Sequence, residues 1–331
     1  MAYRFEFKPY RRTLRAPLRT AHGLWADREG LIVRLEDEAG TVGYGEVAPL
    51  PWFGTETLAE AAEVCGKFGA TVEGEVLDAV PARFGCVRFA LAQARANSVK
   101  VAEPSRLPVT GLLPAGRAAL AALPAKLEAG YLSFKWKVAV GAVDDEIGIF
   151  DDLLAALPAY AKLRLDANGG WDRRQAAKWL ERCAERPVEF VEQPVKPGDE
   201  AALLGLAADY PVTLALDESV SDLSAARQWQ GKGWGGVFVI KPALTGPLGE
   251  LVAWAAATKA DVVLSSAIET ALGRAAILRA ALTQPLTKRA LGFGVGEIFG
   301  DRRWDGPILG PVLDASWVNA VNPEDLWTAL N

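Results

Sequence analysis

Residues 161–194 read AKLRLDANGGWDRRQAAKWLERCAERPVEFVEQP. Ala161–Asp166 is a short β-type run that stops on a carboxylate, with Asn168 just beyond it. Asp172–Glu185 reads as a helix, and Val188–Glu192 is a second β run that again stops on a carboxylate, before Gln193-Pro194. The two strand-ending acids are 26 positions apart. That is the length of one strand plus a crossover helix and its loops.

The same unit repeats on either side. Further β runs are Val109–Leu112, Ser133–Val138, Val212–Asp217, Gly236–Lys241, Asp261–Ser265 and Ala290–Phe293. Helical runs fall between them at Ala118–Ala129, Asp144–Ala156, Glu200–Ala208, Ser221–Gln230, Pro247–Ala257 and Thr270–Leu282. Eight strands alternating with helices imply parallel strands joined by right-handed crossovers. Their closed form is an α/β, TIM-like (β/α) barrel. An open doubly wound sheet is the alternative, and the lack of a Gly-x-Gly-x-x-Gly after an early strand weighs against it.

Before Pro108 the pattern differs. Met1–Tyr10 reads as a short alternating strand rather than a signal peptide. Leu31–Glu36 and Thr41–Val47 look like a hairpin turning at Ala39-Gly40, and Thr57–Phe68 and Pro81–Ala96 read as helices. This is an α+β module, with Glu103-Pro104 and Leu107-Pro108 as the linker out of it.

Composition narrows the class. The 331 residues are 50% hydrophobic and 23% charged, with a net charge of −5. Disorder, collagen-like repeats and a coiled coil are excluded. Without a basic excess no nucleic-acid partner is expected. The longest apolar run, Leu251–Ala257, is too short for a membrane span. Cys65, Cys86 and Cys183 form no C-x-x-C pair and read as reduced thiols in a cytoplasmic protein. The single histidine, His22, rules out any multi-histidine zinc site. It falls in Thr20–Gly30, a surface segment or lid. Trp136, Trp171 and Trp179 read as packing residues.

Polar residues end successive β runs: Lys137 (with Lys135 two before it), Asp166, Glu192, Asp217, Lys241 and Ser265-Ser266. Their spacings, from Lys137 onward to Ser265, are 29, 26, 25, 24 and 24. In a barrel this places them together on the C-terminal rim, where active sites lie. Three converging carboxylates repel and call for a cation. Oxygen-only donors point to a hard ion, Mg²⁺, with Mn²⁺ as a substitute. A lysine next to another ammonium and a divalent cation is pushed toward neutrality and can serve as a general base. Such a base beside a carboxylate-bound metal removes a proton next to a substrate carboxylate while the metal holds the enediolate. The expected partner is thus a small-molecule carboxylate. Glu218 reads equally as a support for the acids or as an ordinary loop residue.

The motifs Lys135-Trp136-Lys137, Asp166-Ala167-Asn168, Glu192-Gln193-Pro194, Asp217-Glu218 and Lys241-Pro242 resemble those of the enolase superfamily, in its muconate-cycloisomerase-like subgroup, across essentially the whole chain. The resemblance implies a (β/α)₇β barrel (residues 106–300), an α+β N-terminal capping domain (1–105) and a tail (301–331) packing back on the cap. It also implies Mg²⁺ on Asp166, Glu192 and Asp217, and catalytic Lys137 and Lys241 on the two sides of the substrate. Within the subgroup, Leu264-Ser-Ser-Ala-Ile-Glu269, Arg164 two residues before Asp166, and the short chain are similar to the o-succinylbenzoate synthases. Those enzymes dehydrate 2-succinyl-6-hydroxy-2,4-cyclohexadiene-1-carboxylate in menaquinone or phylloquinone synthesis. Lys135, Arg164, Asn168, Glu218, Ser265 and Ser266 are then expected to contact substrate or support those that do. The alternatives on this scaffold are an N-acylamino acid racemase or a dipeptide epimerase. Gly292–Glu297 lacks the Asp-x-Asp that epimerases usually carry there.

Overall fold

The structure, a computed structural model, describes residues 1–20, 23–96, 100–103, 105–284 and 286–330. His22 and Pro104 lie outside the described residues.

The unit around residues 161–194 folds as its sequence suggests. Asp172 caps the helix Arg173–Cys183: its Oδ1 accepts from Gln175 N at 2.7 Å, and Gln175 Oε1 accepts from Asp172 N at 3.0 Å. Ala176, Trp179, Leu180 and Cys183 form its buried stripe. Trp179 stacks on Trp171 (5.2 Å) and meets Phe150 and Trp136 edge-on, so these tryptophans pack the shell between strands and helices.

The N-terminal sheet is antiparallel in the order β3-β2-β1-β4, from β1 (Ala2–Thr20), β2 (Gly23–Asp37), β3 (Val42–Val47) and β4 (Thr71–Glu73). The first strand is 19 residues long, far longer than its apolar alternation indicates. Its polar second half is held by pairing with β2, reinforced by Arg11–Asp27 at 2.7 Å and Thr13 Oγ1 donating to Asp27 Oδ1 at 2.8 Å. The helix Gly85–Arg95 lies directly on β3 at two glycines. A Cβ at Gly43 or Gly45 would stand 1.9 Å from the Ala94 or Ala90 carbonyl oxygen.

Eight parallel strands follow in spatial sequence: β5 (Arg106–Leu113), β6 (Ser133–Lys137), β7 (Lys162–Asp166), β8 (Val188–Glu192), β9 (Leu214–Leu216), β10 (Val237–Ile240), β11 (Val262–Leu264) and β12 (Leu291–Gly294). β12 pairs with β5, and a Ser265–Gly292 bridge joins β11 to β12, closing a barrel. Leu107-Pro108 is therefore part of the first barrel strand, not linker. Pro108 pairs there with Val312 of the added antiparallel strand β13 (Val312–Asp314). The C-terminal segment returns to the N-terminal sheet: the Tyr44 hydroxyl donates to Glu324, and Lys8 lies 4.3 Å over the Trp327 ring. No helix among the described residues is long and apolar enough to cross a membrane.

All three cysteines are free and buried. Burial pushes the Cys65 and Cys183 thiols up to about 12 and raises Cys86 as well. The thiolate is the reactive form. A disulfide reagent at pH 8 is therefore expected to label none of the three on the minute scale in the native protein and all three in denaturant. Rapid native labelling would contradict this packing.

Candidate active site

Neighbouring-strand register sets the rim. Lys137 pairs with Asp166, Asp166 with Glu192, and Glu192 with Ala215, two residues before Asp217. Side chains two apart on a strand share a face. Lys135 and Lys137 therefore rise on one face of β6, with Asp166 and Glu192 level with Lys137. One layer below, Lys135, Arg164 and Phe190 are in register. Asp166, Glu192 and Asp217 are all buried.

The acids do not close on one another. Among the described residues no three acidic, histidine or cysteine side chains surround a single point. Instead the Lys135 ammonium bridges Asp166 Oδ2 and Glu192 Oε1, each at 2.6 Å, and Lys241 pairs with Asp217. Burial alone would lower the Lys135 pKa, but Asp166, Glu192 and Asp217 outweigh it and hold this lysine well above its usual range. Lys135 is thus a fixed cation among the acids, not a lysine tuned toward neutrality. Lys137 differs: it is half-buried, and among the described residues its ammonium has no hydrogen-bond or ion-pair partner.

Even with these lysines the acid cluster is short of positive charge. Burial and Asp166, with a smaller push from Asp217, raise the Glu192 carboxyl to about 8 against the pull of Lys135. Burial and then Asp217 raise Glu218 to about 7. One buried oxygen of Glu218 has no partner among the described residues, and the other accepts from Asn168 Nδ2 at 3.0 Å. A buried, oxygen-only, charge-deficient donor set suits a hard divalent cation.

The remaining expected residues divide. Asn168 adopts φ +43° and donates its backbone N–H to Asp166 Oδ1 at 3.0 Å, so it braces the rim acids. Arg164 is sealed in the layer beneath. Its Nε donates to Glu189 Oε2 at 2.7 Å and one Nη to Thr110 Oγ1 and the Ala290 carbonyl. It buttresses the barrel floor, and among the described residues it makes no hydrogen bond or ion pair to the rim acids. Ser266 donates to Glu269 Oε1 at 2.9 Å and accepts from Ile268 N at 3.0 Å, which spends its hydroxyl inside its own turn. Ser265 stays on the rim, its Oγ 3.4 Å from the Gly292 carbonyl.

Two residues at the site had no role assigned from the sequence. Gln193, fully buried at φ +39°, accepts from Asp217 N and Ser219 N and donates to Ser219 Oγ and the Val195 carbonyl, locking the β8 end to the β9 end. Its place directly after a strand-ending acid was the available hint. Phe53, on a short 3₁₀ turn (Pro51–Phe53) beyond β3, lies with its ring 4.2 Å from Lys241 Nζ.

Residues 118–298 match the family model described as "Enolase C-terminal domain-like", and residues 10–98 match "MenC, N-terminal domain". The o-succinylbenzoate synthase of Thermosynechococcus vestitus is 40% identical over 315 residues, 92% of this chain and 95% of that protein. The Yersinia enterocolitica o-succinylbenzoate synthase is 36% identical over 78% of this chain and 80% of its own. Among solved structures, the o-succinylbenzoate synthase from Thermosynechococcus elongatus, with Mg in its active site, superposes with a TM-score of 0.87 at 37% identity, covering 98% of this chain and 99% of that one. With a barrel rim of carboxylates and lysines beneath an α+β cap, and with relatives this similar over nearly its full length, the chain belongs to the enolase superfamily, in the o-succinylbenzoate synthase family.

Proposed function

We propose that this protein is a Mg²⁺-dependent hydro-lyase that converts 2-succinyl-6-hydroxy-2,4-cyclohexadiene-1-carboxylate to o-succinylbenzoate and water, on the route to menaquinone or phylloquinone. The observation that carries the reading is the rim itself: three buried acids flanked by Lys137, whose ammonium has no partner among the described residues, and by one lysine roofed by an aromatic ring, Lys241. In this reading residues 1–105 are the cap, 106–300 the barrel and 301–331 the returning tail.

Asp166, Glu192 and Asp217 would hold Mg²⁺. Bound there, the ion supplies charge stabilisation to a substrate carboxylate as electron density builds on it. Lys137, in its neutral form, takes the proton from the ring carbon that bears the carboxylate. The same group, now an ammonium, gives that proton to the departing ring hydroxyl, which leaves as water. One lysine on one face suffices for this syn loss, and the ring gains aromatic stabilisation as the bond breaks. Lys241 places its positive charge on the opposite face of the ring. Lys135 and Asn168 keep the acids in place from behind.

Incubation with the cyclohexadiene substrate and Mg²⁺ is expected to yield the aromatic product, with activity lost on chelation and restored by Mg²⁺ or Mn²⁺. No turnover here, together with racemisation of N-succinylamino acids, would reverse the assignment. Lys241→Ala separates the two chemistries. Racemisation needs a base on each face and would vanish, whereas dehydration is expected to retain measurable turnover.

A further inference from the structure

Arg28 is 1% exposed, and among the described residues its hydrogen bonds all go to backbone carbonyls. Nε donates to Ile268 O at 3.1 Å. One Nη donates to Pro49 O at 2.7 Å and to Glu29 O at 3.2 Å, and the other donates to Ala48 O. A buried guanidinium is costly unless its donors are satisfied. Here the donors reach three backbone segments, two from the N-terminal sheet unit and one from the barrel 240 residues away.

Both of the outlying segments run to the rim. Ala48 and Pro49 begin the loop that carries Phe53, whose ring lies on Lys241. Ile268 sits in the turn after Ser265-Ser266, and Ser265 N donates to Ile240 O at 2.8 Å, beside the strand end that bears Lys241. Ile268 has φ +59°, a conformation a β-branched residue adopts only when its surroundings enforce it. Two contacts enforce it: Ser266 Oγ on its N–H, and Arg28 on its carbonyl.

We infer that Arg28 is a positioning residue for the reaction: it holds the Phe53 loop of the cap and the Ser266–Thr270 turn of the barrel in one geometry around Lys241. The planar fork fixes angles as well as distances, which a lysine's three donors on one nitrogen cannot reproduce. The kinetic part of this inference rests on the proposed dehydration, and the structural part does not.

The test compares Arg28→Met, Arg28→Lys and Leu77→Ala, the last a buried residue of the N-terminal helix Gly74–Asp78, which carries none of the rim residues. At a temperature where all are folded, Arg28→Met is expected to lose at least tenfold in kcat/KM, with the larger share in kcat, and Arg28→Lys to recover part of it. Leu77→Ala is expected to lower Tm by as much or more while leaving both constants within twofold. Hydrogen exchange is expected to show amides 50–55 and 266–270 losing protection together in Arg28→Met, but not in Leu77→Ala. Should Arg28→Met fail to fold, Arg28→Lys carries both readouts. Constants within twofold of the parent in a folded Arg28 variant would overturn the inference, as would activity falling with Tm in all three variants. If the parent does not turn over the diene, the proposed function fails and exchange alone decides: unchanged protection at either loop then overturns the positioning role.

Discussion

Lys137→Ala is expected to lower the rate of aromatic product formation by about 10³–10⁴-fold, because one side chain serves as both base and acid and such a role is worth roughly 10²–10⁴. The loss belongs in kcat more than in KM, since the group acts in the transition state. Lys137 is half-buried, and among the described residues its ammonium has no partner, so its removal leaves no buried charge exposed to correction. Tm is therefore expected to stay within about 1–2 °C, given that surface-type changes fall within about ±0.5 kcal/mol. Turnover within tenfold of the parent would remove Lys137 from the mechanism.

Glu192→Gln preserves shape and deletes one charge from a buried trio. Mg²⁺ affinity is expected to fall about a hundredfold, and turnover at limiting Mg²⁺ to fall with it. The readout need not be catalytic. At a hundred times the parent's Kd, a ligand that binds only the folded state stabilises it by about 2.7 kcal/mol; after a hundredfold loss of affinity the same concentration gives roughly 0.4 kcal/mol. Thermal unfolding with and without Mg²⁺ measures the difference. A Mg²⁺-dependent shift as large in the variant as in the parent would show that Glu192 is not a ligand.

The barrel was legible because its signal is periodic and local. Each strand, each helix and each rim residue sits in a βα unit that announces itself within about 25 residues, and the observed strands fall within the expected runs or a few residues beyond them. The rim residues Lys137, Asp166, Glu192, Asp217 and Lys241 were readable for the same reason. What escaped depends on contacts between distant segments. The polar second half of β1 becomes a strand only by pairing with β2. Arg164, two residues before a rim acid, shares its face, but register places it a layer deeper, on Glu189 and Thr110. Ser266 next to Ser265 looks like a second rim hydroxyl, yet the turn it closes consumes it. Phe53 and Arg28 act on the rim from the cap, across a separation that no local pattern encodes.

That separation has a consequence for how the protein is made. Glu46, at the end of the N-terminal hairpin, is completely buried. Its carboxylate accepts the Tyr10 hydroxyl, the Thr270 hydroxyl and N–H, and the Gly273 N–H at the start of the barrel helix Ala271–Thr283. Thr270 leaves the ribosome 224 residues after Glu46. At roughly 5–20 residues per second that is a delay of tens of seconds. Through that interval the carboxylate lacks the helix end that completes its hydrogen bonding in the folded protein. Burial of Glu46 is therefore complete only when the N-terminal hairpin and the barrel helix meet, which ties the docking of the one to the formation of the other.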